Sequence, residues 1–270
     1  MGGGSVTMYP TLFTIGSFRI DTYSVIWFIA LSLAILWSIK RLSLYNLDED
    51  DSRRIMAVSF LFMLLGARSY EYIAHWRVYV DNPRFLLDLN RGGLHEFGAV
   101  SGAFLSALIM CMFSRKVSFL KLCDAAVIPA FLAISIGRWG CFMNGCCIGL
   151  KSDIWCAVHF PRDGARVFRH PVQIYYSIIA AVIILILLWI ERKMLPLQKK
   201  KQRHYSVIAP LGMILYALMR YAVTFTRDPK PLSWLIKYSW TYKGITMALP
   251  LMFLWLAYSL FRLNSGTSPK

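Results

Sequence analysis

Seven apolar runs, each near the ~20 residues an α-helix needs to cross a bilayer, dominate this sequence. They fall at about Thr22 to Ile39, Ile55 to Ile73, Phe97 to Phe113, Leu122 to Ile136, Val172 to Ile190, Ser206 to Phe225 and Gly244 to Phe261. The fourth is short and begins near Asp124. Hydrocarbon offers the backbone no hydrogen-bond partners, so such runs must satisfy themselves as helices. The expected class is all-α: a polytopic membrane protein of about seven transmembrane helices with extracytoplasmic loop elements. A charged fraction of only 16% and a mean hydropathy of +0.50 agree. The formal charge of +16 would suggest nucleic acid in a soluble chain. Here the bases flank apolar runs and form no compact domain, which points to an anionic lipid surface and away from nucleic acid. Met1 to Ser5 reads as a cloning scar and Met8 as the natural start. Residues 8–270 are then one integral-membrane domain, with 1–7 outside the fold.

Orientation follows the bases in loops. With the N-terminus outside, the inner loops hold Lys40, Arg41, Arg53 and Arg54, then Arg115, Lys116 and Lys121. The dense run Lys199-Lys200-Lys201-Gln202-Arg203 decides the matter, giving N-terminus out and C-terminus in. Two long loops, His75 to Glu96 and Gly137 to Pro171, then lie on the outer side. Phe13 to Phe18 reads as an interfacial segment.

The chain is organised around Ile136 to Gly149, where Arg138 stands at the end of an apolar run among four glycines. Glycine lets the backbone turn sharply and approach a ligand closely. Arg138 keeps its charge and offers forked donors suited to phosphate. With no acid beside it in sequence it calls for an anionic partner, and a phospholipid head group fits. Arg220 is in the same position: Tyr216, Arg220, Thr224 and Arg227 recur at helical spacing, with no acid three or four residues away from Arg220. Arg138 and Arg220 together would make a positive intramembrane pocket suited to a phosphodiester. Arg68 differs, because Glu71 stands three residues on and the two can pair on one helix.

Cysteines and histidines leave alternatives open. Cys141, Cys146, Cys147, Cys156 and His159 cluster, but adjacent Cys146-Cys147 is an awkward spacing for a closed zinc site, and no metal is expected. Disulfides and packed thiols remain the other readings. His95 beside Glu96, flanked by Gly92, Gly93 and Gly98, is the best general-base candidate.

Taken together, these residues resemble the prolipoprotein diacylglyceryl transferase family over nearly the whole chain beyond Met8. Gly137, Arg138, Gly140, Phe142, Asn144 and Gly149 match its signature Gly-Arg-x-Gly-Asn-Phe-x-Asn-x-Glu-x-x-Gly. His170-Pro171-Val172-Gln173 matches another element, and Gly66-Ala67-Arg68 a third. Tyr23 sits at the family's early tyrosine, and Arg220 at its essential arginine ahead of Phe225-Thr226-Arg227-Asp228-Pro229. Departures are equally specific: Cys141 replaces the first Asn of the signature, Cys146 its Glu, Thr224 a second Glu, and Phe97 falls where the family has its histidine.

The resemblance implies a bacterial inner-membrane enzyme that moves the diacylglyceryl unit of phosphatidylglycerol to the lipobox cysteine thiol of a preprolipoprotein. Glycerol-1-phosphate would leave, and no cofactor is implied. Arg138 and Arg220 would hold the phosphate, with His95 and Glu96 as acid–base candidates. Tyr23, Arg68, Gly140, Asn144, His170, Gln173, Tyr216 and Arg227 would line the substrate. Two alternatives stay open: a paralogue with another acceptor or lipid group, and a non-enzymatic lipid-binding or thiol-redox membrane protein.

Overall fold

The computed structural model describes residues 10–15, 18–86, 96–113, 118–161, 167–200, 206–228 and 251–261. A short antiparallel hairpin, β1 (Thr11–Ile15) and β2 (Phe18–Asp21), precedes helix α1 (Thr22–Leu44). Then come α2 (Glu49–Ala74), a six-residue α3 (Trp76–Asp81) with a 3-10 turn at Pro83–Leu86, α4 (Glu96–Phe113) and α5 (Phe119–Met143). Two-residue strands β3 (Val158–His159) and β4 (Phe168–Arg169) pair ahead of α6 (Val172–Lys200), α7 (Ile208–Thr224) and α8 (Leu251–Phe261). The helices follow the apolar runs. Among the described residues, α1, α5 and α6 are long and apolar enough to cross a membrane, while α7, α8 and most of α4 are shorter apolar helices.

Two compact units divide the chain, with boundaries inside α1 and α5: residues 1–37 with 123–270, and residues 38–122. In the smaller unit, α2 opens with Glu49, Asp50 and Asp51, acids that favour the positive end of a helix. Arg53 pairs with Glu49 at 2.6 Å and with Asp50 at 3.1 Å. Further along, α2 and α4 touch backbone to backbone: a Cβ added at Gly66 would strike the Gly98 carbonyl, and one at Gly102 the Phe62 carbonyl. Small residues four apart are how helices approach closely where lipid supplies no hydrophobic drive.

The larger unit is built on α5, α6 and α7. Ile128 and Phe131 of α5 pack with Tyr176, Ile183 and Leu187 of α6 and with Ile208, Met219 and Val223 of α7. Two serines bind the helices reciprocally, Ser135 Oγ donating to the Ser177 carbonyl at 3.0 Å and Ser177 Oγ to the Ser135 carbonyl at 2.7 Å. Asp124, fully buried, accepts from Ser206 Oγ and from the Ala209 backbone N–H, both at 2.7 Å. An acid on α5 thus caps the N-terminus of α7, whose own N-cap residue, Val207, has no side-chain acceptor. Phe28, Leu36, Leu185 and Trp189 are exposed, as a lipid-facing surface requires.

One expectation is overturned. The sequence predicts a loop from Gly137, yet α5 runs on through Gly137, Arg138 and Gly140 to Met143. The glycines there serve helix contact rather than turning: a Cβ at Gly137 would meet the Trp27 ring at 2.7 Å, and one at Gly140 the Tyr23 carbonyl at 3.2 Å. The turn comes afterwards. Gly145 is left-handed (φ 64°), its N–H reaching the Phe142 carbonyl at 3.0 Å, while the Cys146 N–H reaches the Cys141 carbonyl at 3.1 Å. That pair of bonds is the Schellman motif that commonly closes helices on a glycine. Of Phe13 to Phe18, expected as interfacial, Phe13 to Ile15 lie on β1 and Phe18 on β2, and residues 16–17 are outside the described residues.

Candidate functional site

Three helices of the larger unit place the sequence's arginines around one ring. The Arg138 guanidinium, on the last turns of α5 and 8% exposed, lies 4.4 Å from the ring centroid of Tyr176 on α6. Arg220 on α7 lies 5.9 Å from the same centroid. Tyr176 is 1% exposed, so both charges meet a buried aromatic face. Each guanidinium makes further contacts. Even so, Arg138 Nε, Arg220 Nη1, Arg227 Nε, Tyr176 Oη and Trp27 Nε1 are buried without a hydrogen-bond partner among the described residues. Two permanent cations that share one buried neighbour in a medium of low dielectric repel, and a bound anion offsets that. Arg138 and Arg220 thus share one neighbour, Tyr176, which the sequence does not single out.

Other candidates sort by contact. Tyr23, at the head of α1, is within electrostatic reach of Arg138 and of the Cys141, Cys146 and Cys147 thiols, and stacks tilted on Trp27 at 6.3 Å. Gly140 is the point where α5 passes the Tyr23 backbone. Tyr216 packs edge-on against Phe131 at 6.4 Å. Thr224 Oγ1 donates to the Arg220 carbonyl at 2.6 Å, so its hydroxyl turns back onto its own helix. Arg227 lies beyond the end of α7, correcting the single helical face drawn from Tyr216 to Arg227.

Gln173 and Asn144 hold the loop after α5. Gln173 Nε2 donates to the Cys146 carbonyl at 2.5 Å, and the Asn144 side chain bonds the Cys146 thiol. His170 Nδ1 meets the Tyr175 hydroxyl at 3.1 Å, and that hydroxyl lies 3.6 Å from Cys156 Sγ. In the smaller unit, Arg68 Nε donates to the Tyr72 hydroxyl at 2.8 Å, and Glu71 pairs with His75 at 3.0 Å. His95 lies outside the described residues. Glu96 opens α4, and its side chain is likewise outside them.

Three loop segments, those following α5 and α7 and the one leading into α6, are laced together. The Leu150 N–H bonds the Thr226 carbonyl at 2.8 Å, and the His170 N–H bonds the Leu150 carbonyl at 3.0 Å. Arg169 Nη1 donates to Asp228 Oδ2 at 2.7 Å and to the Gly149 carbonyl at 3.0 Å, all buried. Gly149 fits because a Cβ there would strike the His170 carbonyl.

The cysteine group divides. All six cysteines are free thiols. Cys156 joins Tyr175, and His159 packs on Phe168, whereas the Sγ atoms of Cys141, Cys146 and Cys147 lie within 4.8 Å of one another. Hydrogen bonds from the Cys141 and Cys146 thiols, aided by the Arg227 and Arg138 charges, hold the Cys147 thiol far below its ordinary range against the effect of burial.

A polytopic helical membrane protein that gathers permanent cations about a buried ring is the class that fold and site define. The chain belongs to the prolipoprotein diacylglyceryl transferase family, whose sequence profile matches residues 10–261. It is 36% identical over 223 residues to a protein of Clostridium novyi (strain NT) named phosphatidylglycerol–prolipoprotein diacylglyceryl transferase, covering 80% of this chain and 83% of that one. A Clostridium tetani (strain Massachusetts / E88) protein of the same name is 30% identical over 227 residues, 83% of this chain and 87% of its own. A Pseudomonas putida (strain KT2440) protein, also so named, is 27% identical over 262 residues, 93% and 94% of the two chains.

Proposed function

We propose that this chain transfers the diacylglyceryl group of phosphatidylglycerol to the lipobox cysteine of a preprolipoprotein. The observation that carries the proposal is the convergence of Arg138 and Arg220 on Tyr176, within a chain of this family. In this reading the two guanidiniums grip the donor phosphate. A sulfur–carbon bond forms at the diacylglyceryl carbon as its bond to the phosphate oxygen breaks, and glycerol-1-phosphate leaves with the electron pair. Arginine donors aimed at that oxygen stabilise the charge growing on it, the usual role of preorganised donors in a dry site. The attacking species is the acceptor thiolate, so a base must take the thiol proton. His95, with Glu96 beside it in sequence, is assigned that role. Tyr23 supports the phosphate grip, and Asn144 and Gln173 act through the loop they hold.

Mass spectrometry of a lipobox peptide incubated with the protein and defined phospholipids tests the reaction. A thioether-linked diacylglyceryl adduct formed from phosphatidylglycerol is expected; an unmodified peptide with folded protein and phosphatidylglycerol present would sink the reading. The inner membrane and an outward N-terminus complete the proposal, on the strength of the basic run Lys199 to Arg203. Green fluorescent protein fused after Lys270 should fluoresce in the cytoplasm, and a dark fusion of full length would reverse the orientation.

A further inference from the structure

We propose that Cys141, Cys146 and Cys147 form a three-thiolate site for a soft cation, copper(I) being the ion it fits. The helix ending builds the site. In a Schellman motif the residue after the left-handed position folds back over the third residue from the helix end, where two apolar side chains commonly meet. Here those two positions are Cys146 and Cys141, so the staple is made of thiols. Cys147 adds the third. Its backbone is itself left-handed (φ 58°), a conformation disfavoured for a residue with a Cβ. The three sulfurs lie within 4.8 Å of one another. A metal bound at ~2.3 Å to three sulfurs in a plane needs them about 4 Å apart, so closing the site takes shifts below about 1 Å.

The donor set selects the ion. Thiolates favour soft ions such as copper(I) and zinc. Zinc in a closed site takes four ligands, and among the described residues this group holds three, with Cys156 and His159 engaged elsewhere. Loading displaces a proton from each thiol that carries one. Three thiolates and one copper(I) leave a doubly negative centre, and Arg138 and Arg227 lie within electrostatic reach to offset it. Gln173, bonded to the Cys146 carbonyl, fixes the loop that presents the sulfurs.

The test is anaerobic titration of the reduced, full-length protein in detergent with copper(I), in competition with a chromogenic copper(I) chelator. One ion per chain is expected, with an X-ray absorption spectrum of three sulfur neighbours. Loss of an outer-shell partner alone costs 10–100-fold in metal affinity, so Cys146→Ser and Cys147→Ser should each weaken binding at least about 100-fold. Both side chains are only partly buried, so folding should survive, and thermal unfolding is the check. Cys111→Ser and Cys156→Ser should bind as the parent does. No uptake by the parent, or uptake lost in Cys156→Ser and kept in Cys147→Ser, would overturn the site. Preference for zinc over copper(I), or a spectrum with a fourth nitrogen or oxygen neighbour, would overturn the choice of ion.

Discussion

At the scale of single residues, Arg138 and Arg220 carry the sharpest test. A guanidinium grips phosphate with two parallel donors, and an ammonium is a point charge that does not reproduce that geometry. Arg138→Lys and Arg220→Lys should each lose about 2–4 kcal/mol of transition-state stabilisation, read as a fall in kcat at comparable folded yield. Lys40→Ala, on an exposed position of α1, should leave turnover unchanged. Tyr176 gives a second test. Its hydroxyl has no hydrogen-bond partner among the described residues, and its ring faces both cations. Tyr176→Phe should therefore act nearly as the parent, while Tyr176→Leu should weaken donor binding by about 0.5–2 kcal/mol; equal losses in the two would show that the ring is not what matters. The arginines were legible in the sequence because a permanent charge in an apolar run is conspicuous. Tyr176 was not, because an aromatic among aliphatics looks like any other packing residue.

At the scale of elements, the sequence showed where helices run but not how they end or touch. Gly137 and Gly140 read as turn-formers, since four glycines near an apolar boundary ordinarily mark one. The structure uses them to let α1 pass, and leaves the turn to Gly145. Only the partner helix distinguishes the two uses, and a partner is not visible along one chain. Asp124 was hidden for the same reason: it blurred the start of an apolar run, while its role as the cap of α7 lies 82 and 85 positions downstream. Asp124→Ala strands the Ser206 hydroxyl and the Ala209 N–H in a buried place. The expected cost is about 1–3 kcal/mol for each group left unsatisfied, seen as a lower thermal midpoint in detergent. Asp124→Asn, which keeps an acceptor oxygen, should lose less.

At the scale of the whole molecule, the sequence read net charge and the structure sorts it by depth. Asp228 is one of only 14 acids in the chain, and it is spent on Arg169 in a buried pair that laces the segment leading into α6 to the one following α7. Removing one partner of such a pair leaves the other charged and dry. Asp228→Ala should cost about 3–5 kcal/mol, and replacing both partners with apolar side chains should recover much of it. A double variant no more stable than the single one would show that the lacing rests on backbone bonds instead. The cations on the Tyr176 ring have a different consequence, which concerns ions in the bulk. Raising salt from about 0.15 M to 1 M shortens the Debye length from ~8 Å to ~3 Å and mutes exposed charges. Counterions do not reach Arg138 in its buried place, so a donor gripped there is shielded by protein rather than by electrolyte. In a reconstituted bilayer, half-saturation by donor lipid should stay level across that range, and a steep rise would mean that exposed bases gather the lipid.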